Sequence, residues 1–382
     1  MIKSKFLFIL LSVSAVALTS CETTKNYVDH LDDYAFSMKY HDNFNILQLT
    51  DIHWNANTST LKSKQYLEKV LKEAHNHTGG HIDLVELTGD QFMLSNSYHV
   101  KSFIKFFEEK AEEYGFKYAV IWGNHDQQGL YNPNWLGDQF KKAKNCFYAE
   151  PNDNLYGRSN FVINLTVSGD RAATLNPTVW QIVNLDSGAS FSETAISPFR
   201  DYDYIRKEQT DWFVREHNME GVGPLVPAIA YYHIPQDENR HAWEEHLKNP
   251  TAFKSKFFKL EEFADNGSDR YASDFLDIGR ENNLRGAFMG HAHNVDWTFD
   301  FDGMVVGLGV KTGPELYFAH IEQDSTDEAM KEGLASLDTP ITENFDLIGA
   351  SLVTIKNALE FDLEHLYYNE RAEGDFKEWR KW

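Results

Sequence analysis

Five short apolar runs, each broken off by a cluster of polar residues, constrain this chain more than any other feature. Three of them fall between residues 44 and 126. The run at 44–49 stops on Thr50-Asp51-Ile52-His53, that at 84–87 on Thr88-Gly89-Asp90, and that at 117–122 on Gly123-Asn124-His125-Asp126. Between them, apolar residues recur at helical period over 61–77 (Leu61, Tyr66, Leu67, Val70, Leu71, Ala74) and 98–114 (Tyr98, Phe103, Ile104, Phe107, Ala111, Tyr114). Strands joined by helical crossovers must run parallel, so this order places all three polar endings at one edge of a sheet.

Two further endings follow the same rule. The run at 225–232 stops on His233-Ile234-Pro235, and that at 284–289 on Gly290-His291-Ala292-His293. Strands are also expected at 161–167, 178–185 (ending Asp186-Ser187-Gly188) and 349–356, with helices near 202–218, 237–247 and 253–264. The runs at 295–301 and 304–308, joined by Asp302-Gly303, spell a hairpin. Residues 127–160 show no period and read as a long loop beside the polar endings. An acidic surface insertion is expected over about 321–346, followed after the last strand by an acidic, aromatic tail.

These endings have a shared chemistry. Asp51 and His53, two apart on extended backbone, point to one side and can grip a cation through a carboxylate and a neutral imidazole. Asn124 follows a glycine and can approach a ligand through its amide oxygen; taken alone, Gly123-Asn124-His125-Asp126 also suits an ordinary turn. Two cations about 3.5–4 Å apart need a bridging carboxylate and several nitrogen and oxygen ligands. The five endings together offer such a set. His75-x-His77 is set aside, because it closes a helix where histidine suits the dipole.

The combination Asp51-x-His53, Gly89-Asp90, Gly123-Asn124-His125-Asp126, a lone His233 and Gly290-His291-x-His293 resembles the calcineurin-like metallophosphoesterase superfamily over about residues 44 to 310. With Asp186-Ser187-Gly188 and His233-Ile234-Pro235 it looks closest to the purple-acid-phosphatase-like single-domain branch. The resemblance implies a four-layer α/β/β/α sandwich of two mixed sheets over 43–382, with a dinuclear metal site at the strand C-terminal ends. It implies that Asp51, His53 and His293 hold one ion, Asp90 bridges, and Asn124, His233 and His291 hold the other, the ions being Fe, Mn or Zn. A metal-bridging hydroxide is the implied nucleophile, with His125 donating to phosphate or protonating the leaving group. Asp126 either orients His125 or stabilises the turn. The purple enzymes carry a tyrosine three residues after the bridging aspartate, where this chain has Met93, so the ferric tyrosinate of that group should be absent.

Phosphomonoester hydrolysis is the leading expectation. A diesterase acting on cyclic nucleotides or glycerophosphodiesters uses the same centre, and a metal-containing surface binding protein without catalysis is the alternative of another class. Tyr131, Trp135 and Tyr156 either wall a substrate pocket or pack locally; Arg158, Arg200, Arg206 and Arg240 have no assigned place.

A net charge of −22 argues against nucleic acid or an anionic membrane surface as a direct partner. The first twenty residues differ in kind: Lys3 and Lys5 precede an apolar run from Phe6 to Leu18, the pattern of an export signal. It ends Leu18-Thr19-Ser20-Cys21, which resembles a bacterial lipoprotein cleavage box. The reading is a signal over 1–20, a lipid on Cys21, a tether or edge segment to residue 42, and an extracytoplasmic protein of the cell envelope. An ordinary signal cut near Ser20 is the alternative. Cys146, the other cysteine, is expected to be a small core residue.

Overall fold

The computed structural model describes residues 35–54, 59–93, 96–126, 133–150, 155–168, 177–191, 201–217, 226–248, 255–256, 273–293, 295–314, 347–369 and 377–382. The signal segment, Cys21, most of the tether, Tyr131, Arg200 and the acidic insertion lie outside them. In chain order the elements are β1 (Ala35–Lys39), β2 (Phe44–Leu49), α1 (Ser59–His77), β3 (Leu84–Thr88), α2 (Ser97–Tyr114), β4 (Lys117–Ile121), α3 (Pro133–Phe140) and β5 (Cys146–Phe147). There follow β6 (Phe161–Thr166), β7 (Thr178–Asn184), β8 (Ser190–Phe191), β9 (Asp201–Tyr202), α4 (Lys207–His217), β10 (Ala228–Tyr231), α5 (Asp237–Lys248), β11 (Ser255–Lys256) and α6 (Phe275–Glu281). The chain ends with β12 (Leu284–Met289), β13 (Thr298–Phe301), β14 (Met304–Leu308), β15 (Leu347–Ile355), β16 (Phe361–Asn369) and β17 (Lys377–Lys381).

The long strands form two mixed sheets, ordered β1-β6-β7-β10-β12-β14-β13-β11 and β17-β16-β15-β2-β3-β4-β5, so the fold is the expected α/β sandwich. Strand alternation divides the second sheet's residues between two cores. Ile46, Leu84, Ala119 and Ile121 face the first sheet, while Leu47, Val85 and Val120 face α1 and α2, packing with Leu67, Val70, Phe103 and Phe107. Trp212, Phe213, Trp243 and Phe275 from α4, α5 and α6 belong to the first sheet's core. β2, β3 and β4 are parallel neighbours, as the crossover argument requires.

Several expectations are corrected. The presumed loop at 127–160 contains α3 and β5, because Leu136 and Phe140 give one short helix an apolar side that seals the second core. The acidic tail is β16 and β17: β16 pairs along the full length of β15, burying Leu363, Leu366 and Tyr367 while its acidic residues alternate outward. The helix expected at 253–264 falls largely outside the described residues, but Ser255 and Lys256 pair with Phe299 and Thr298 as a strand. Leu61 and Tyr98, placed on the apolar stripes, are exposed. The tether ends as an edge strand, β1, paired with β6.

One residue of the inter-sheet core is out of place chemically. Glu86 on β3 is fully buried, both carboxylate oxygens lack a hydrogen bond, and burial raises its pKa well above the usual 4.5, offset only in part by Asn184. The native state therefore holds a proton that the unfolded chain releases, so this group costs stability as pH rises above its unfolded value. Glu86→Gln is expected to remove a pH dependence of up to about 1.4 kcal/mol per pH unit from urea unfolding as pH rises above the ordinary carboxylate range, gaining on the parent as pH rises. Parallel stability curves for the two proteins would show that Glu86 is ionised in the fold.

Candidate metal centre

All five polar endings meet at one edge of the sandwich. β2, β3 and β4 bring Asp51, His53, Asp90, Asn124 and His125 to the end of the second sheet, and the parallel pair β10 and β12 brings His233, His291 and His293 to the same end of the first. The sheets are tied together there. His233 Nδ1 bonds Thr88 O at 2.9 Å, and the His291 N–H donates to Asp51 Oδ2 at 3.0 Å. The glycines permit this approach: a Cβ on Gly89 would lie 2.3 Å from His233 Nδ1, and one on Gly290 would lie 1.9 Å from Thr50 Oγ1.

Asp51, His53, Asp90 and His291 all have left-handed backbone, with φ of 52°, 49°, 53° and 72°. Each such residue costs about 1–2 kcal/mol, a strain that persists only where surrounding structure imposes it. Here the turns are imposed by neighbouring backbone: Asp51 N–H donates to Gly89 O at 3.1 Å and His53 N–H to Asp90 O at 3.0 Å. The strained positions aim their side chains inward rather than along the strand.

Those side chains form two adjoining halves. In one, ligand atoms of Asp51, His53, Asp90 and His293 all lie within 4.8 Å of one another; His293 Nε2 is 3.2 Å from Asp51 Oδ1 and 3.2 Å from His53 Nε2. In the other, Asn124 Oδ1 is 3.1 Å from His233 Nε2 and 2.9 Å from His291 Nδ1, while His233 Nε2 is 3.4 Å from Asp90 Oδ2. Asp90 Oδ2 is buried and accepts no hydrogen bond, although it stands between the two halves. A buried carboxylate oxygen without a donor is costly in a native fold, and among imidazoles and carboxylates it suits a cation. The donor set of two carboxylates, four imidazoles and one amide oxygen therefore fits two metal ions of intermediate hardness.

The electrostatics agree. Burial holds the His53 and His291 rings neutral, pushing both down to about 3. Burial works against charge on His233 too, but the Asp90 and Asp51 carboxylates overcome it and raise that ring to about 9. Asp51 and Asp90 are both lowered despite burial, chiefly by His293 for the first and His233 for the second. The Asp90 carboxylate thus favours the charged His233 ring, so a cation taken up here would be expected to displace a proton.

His125 stands at the rim. Its backbone N–H donates to Asp90 Oδ1 at 2.8 Å, and its part-exposed ring lies with Nε2 3.9 Å from Asp90 Oδ2, edge-on to His53 at 5.4 Å between centroids. Asp126 is buried, and its carboxylate accepts backbone N–H groups of Gly123 (2.8 Å), Phe92 (2.8 Å) and Asp90 (2.9 Å). Of the two roles expected for it, these bonds perform the turn-stabilising one: they lock the β3 and β4 endings together.

Other features take different places. His77 at the end of α1 stacks on Trp379 at 3.9 Å and bonds Glu364, away from the centre. Cys146 has its thiol raised well above its usual range by burial, as befits an inert packing residue. Trp135 packs against the second core. Tyr156 lines a surface cavity of about 500 Å³ with Tyr204 and Arg206, whose guanidinium bonds Asp203 Oδ1 at 2.8 Å. Three residues at the centre had no individual role in the sequence: Ser187 of the Asp186-Ser187-Gly188 ending, whose Oγ accepts from Ile234 N–H at 2.8 Å; Tyr202, edge-on to His291 at 4.2 Å; and Lys311, 2% exposed beside Asp51. A lysine directly after the apolar run 304–310, between Gly309 and Gly313, was the available signal for the last.

Residues 44–295 match the family model described as calcineurin-like phosphoesterase. An Arabidopsis thaliana protein named "Probable inactive purple acid phosphatase 28" is 24% identical over 304 residues, covering 72% of this chain and 71% of that protein. Among solved structures, a dimetal phosphatase from Danio rerio superposes with a TM-score of 0.49 at 10% identity, over 88% of this chain and 99% of that one. Purple acid phosphatase PPD1 from yellow lupin (Lupinus luteus) seeds gives 0.45 at 11% identity, over 88% of this chain and 53% of that one.

Proposed function

This chain belongs to the calcineurin-like phosphoesterase family and is a two-metal phosphoester hydrolase; from that premise we propose that it cleaves phosphomonoesters, with His125 as the acid that protonates the leaving group. The observation that carries the assignment of the centre is the buried Asp90 Oδ2, which accepts no hydrogen bond and stands between His53 and His293 on one side and His233 and Asn124 on the other. In this reading Asp51, His53 and His293 hold the first ion, Asn124, His233 and His291 the second, and Asp90 both. Two cations so held stabilise negative charge on the phosphoryl group and acidify water.

The protein's own groups divide the remaining work. Asn124 offers an uncharged oxygen, so only Asp51 and Asp90 oppose two multivalent ions and the centre stays net positive. Such a centre draws a dianion to a strongly acidic protein, and the buried Lys311 adds a further positive charge behind it. That balance favours a monoester, which carries one more charge than a diester. The Asp90 carboxylate fixes the His125 backbone and so presents the part-exposed ring at the rim, where a leaving oxygen would sit. Metal-loaded protein assayed on p-nitrophenyl phosphate and bis-p-nitrophenyl phosphate is expected to prefer the monoester by at least about tenfold in kcat/KM, a difference of about 1.4 kcal/mol. A preference for the diester overturns the substrate assignment.

We extend the proposal to location. The segment Leu18-Thr19-Ser20-Cys21 supports export and a lipid on Cys21, which would anchor the enzyme at the cell envelope with its centre outside the cytoplasm. In detergent phase separation of expressing cells, the protein is expected in the detergent phase and Cys21→Ala in the aqueous phase. Aqueous partitioning of both would refute the anchor.

A further inference from the structure

Asp51 and His53 owe their inward aim to a left-handed turn, and one segment beyond the five endings is built against it. After β14 the chain crosses back to the turn as Lys311-Thr312-Gly313. Lys311 forms a parallel bridge with Thr50, the Thr312 N–H donates to Thr50 O at 2.9 Å, and the Gly313 N–H donates to Asp51 O at 3.2 Å. The Thr50 N–H returns a bond to Thr312 Oγ1 at 3.1 Å. The segments touch so closely that a Cβ on Gly313 would lie 2.1 Å from Ile52 O.

Lys311 completes this strap from within. Its side chain is 2% exposed, and its Nζ donates to the carbonyl of Gly313 and lies 3.5 Å from that of Asp51. An ammonium is expensive to bury, and a methionine of similar length would fill the same space without that cost. Packing therefore gives no reason for lysine here. What lysine adds is a donor that gathers two carbonyls, one from each side of the strap, at the residue that begins the turn.

We propose that Lys311 is a positioning residue for the first ion: by tying the Asp51 and Gly313 carbonyls together it holds Asp51 and His53 in the one orientation that faces His293. The inference rests on the proposed assignment of those three residues to one ion. It predicts an asymmetry. Asn124, His233 and His291 are carried by β4, β10 and β12, and among the described residues their link to the turn that the strap holds is the single bond from the His291 N–H to Asp51 Oδ2, so the second ion should be far less sensitive to Lys311 than the first.

The test is binding of Mn²⁺ to chelator-stripped full-length protein, followed by calorimetry and elemental analysis. Wild type is expected to take two ions. Lys311→Met is expected to weaken one of the two binding steps by at least tenfold, leave the other within threefold, and keep the wild-type circular dichroism. Lys311→Arg, which retains a charged donor, is expected to recover most of the loss and supplies the comparison if Lys311→Met fails to fold. Two ions bound by Lys311→Met with wild-type affinities would overturn the positioning role, as would equal weakening of both steps in either variant. Fewer than two ions on wild type would instead overturn the reading of the centre, and Lys311 would fall with it.

Discussion

Replacing Asp90 with alanine is expected to leave the purified protein with at most one tightly held ion and to lower kcat/KM on p-nitrophenyl phosphate by at least about a thousandfold, equal to about 4 kcal/mol of transition-state stabilisation. The reason is its place. Asp90 Oδ2 lies 3.4 Å from His233 Nε2 in one half of the centre and belongs to the group with Asp51, His53 and His293 in the other, and among the described residues it is the carboxylate that adjoins both. Alanine also deletes Oδ1, which accepts the His125 N–H at 2.8 Å. Asp90→Asn separates the two effects, because its amide oxygen still holds that N–H while the charge is gone. Both variants should lose an ion by elemental analysis, with the asparagine variant keeping the parent's thermal stability more closely. Retention of two tightly bound ions by Asp90→Ala would falsify the bridging assignment.

His125→Ala should behave differently. The ring stands at the rim and is assigned to no ion, so the variant is expected to bind two ions as the parent does. Its turnover should depend on the leaving group: a fall of about 10²–10⁴ for an alkyl phosphate, whose departing alkoxide needs a proton, and a much smaller one for p-nitrophenyl phosphate, whose phenolate leaves without help. Steady-state kinetics over a series of leaving groups reads this as a steeper dependence on leaving-group pKa. An unchanged slope, or unchanged turnover of every ester, excludes His125 as the proton donor.

The candidate site was more legible in the sequence than much of the fold around it. A strand end is a local signal: apolar run, small residue, polar residue. Five such signals in a fixed order compensate for the weakness of each. What they could not reveal is anything decided by a partner far along the chain. β17 reads as a charged tail because Lys377, Glu378, Arg380 and Lys381 serve an edge strand whose pairing with β16 comes from the rest of the sheet. α3 is eight residues long and its apolar side is two or three residues wide, too little for periodicity to declare itself. Asp126 illustrates the same limit within the site. Its neighbour His125 suggested a catalytic pairing, whereas its hydrogen bonds run to the backbone of a strand ending thirty-six positions earlier. Lys311 gave only a faint signal, because the groups it gathers include the carbonyls of Asp51 and Gly313, and every residue has a carbonyl.

The pairing of β2 sets an order on biogenesis. β3 and β4 follow β2 closely in the chain, but the other neighbour of β2 is β15, where Gln48 faces Ser351. Until residues 347–355 have been synthesised and have closed on it, β2 is an edge strand with one side of its backbone unpaired, and contacts so distant in sequence form slowly. The half of the centre that holds Asp51 and His53 is therefore among the last parts of the molecule to become rigid. Ion loading is thus expected to follow the closure of β15 on β2, since before that pairing the Asp51 and His53 side chains lack the fixed geometry with which to select a metal.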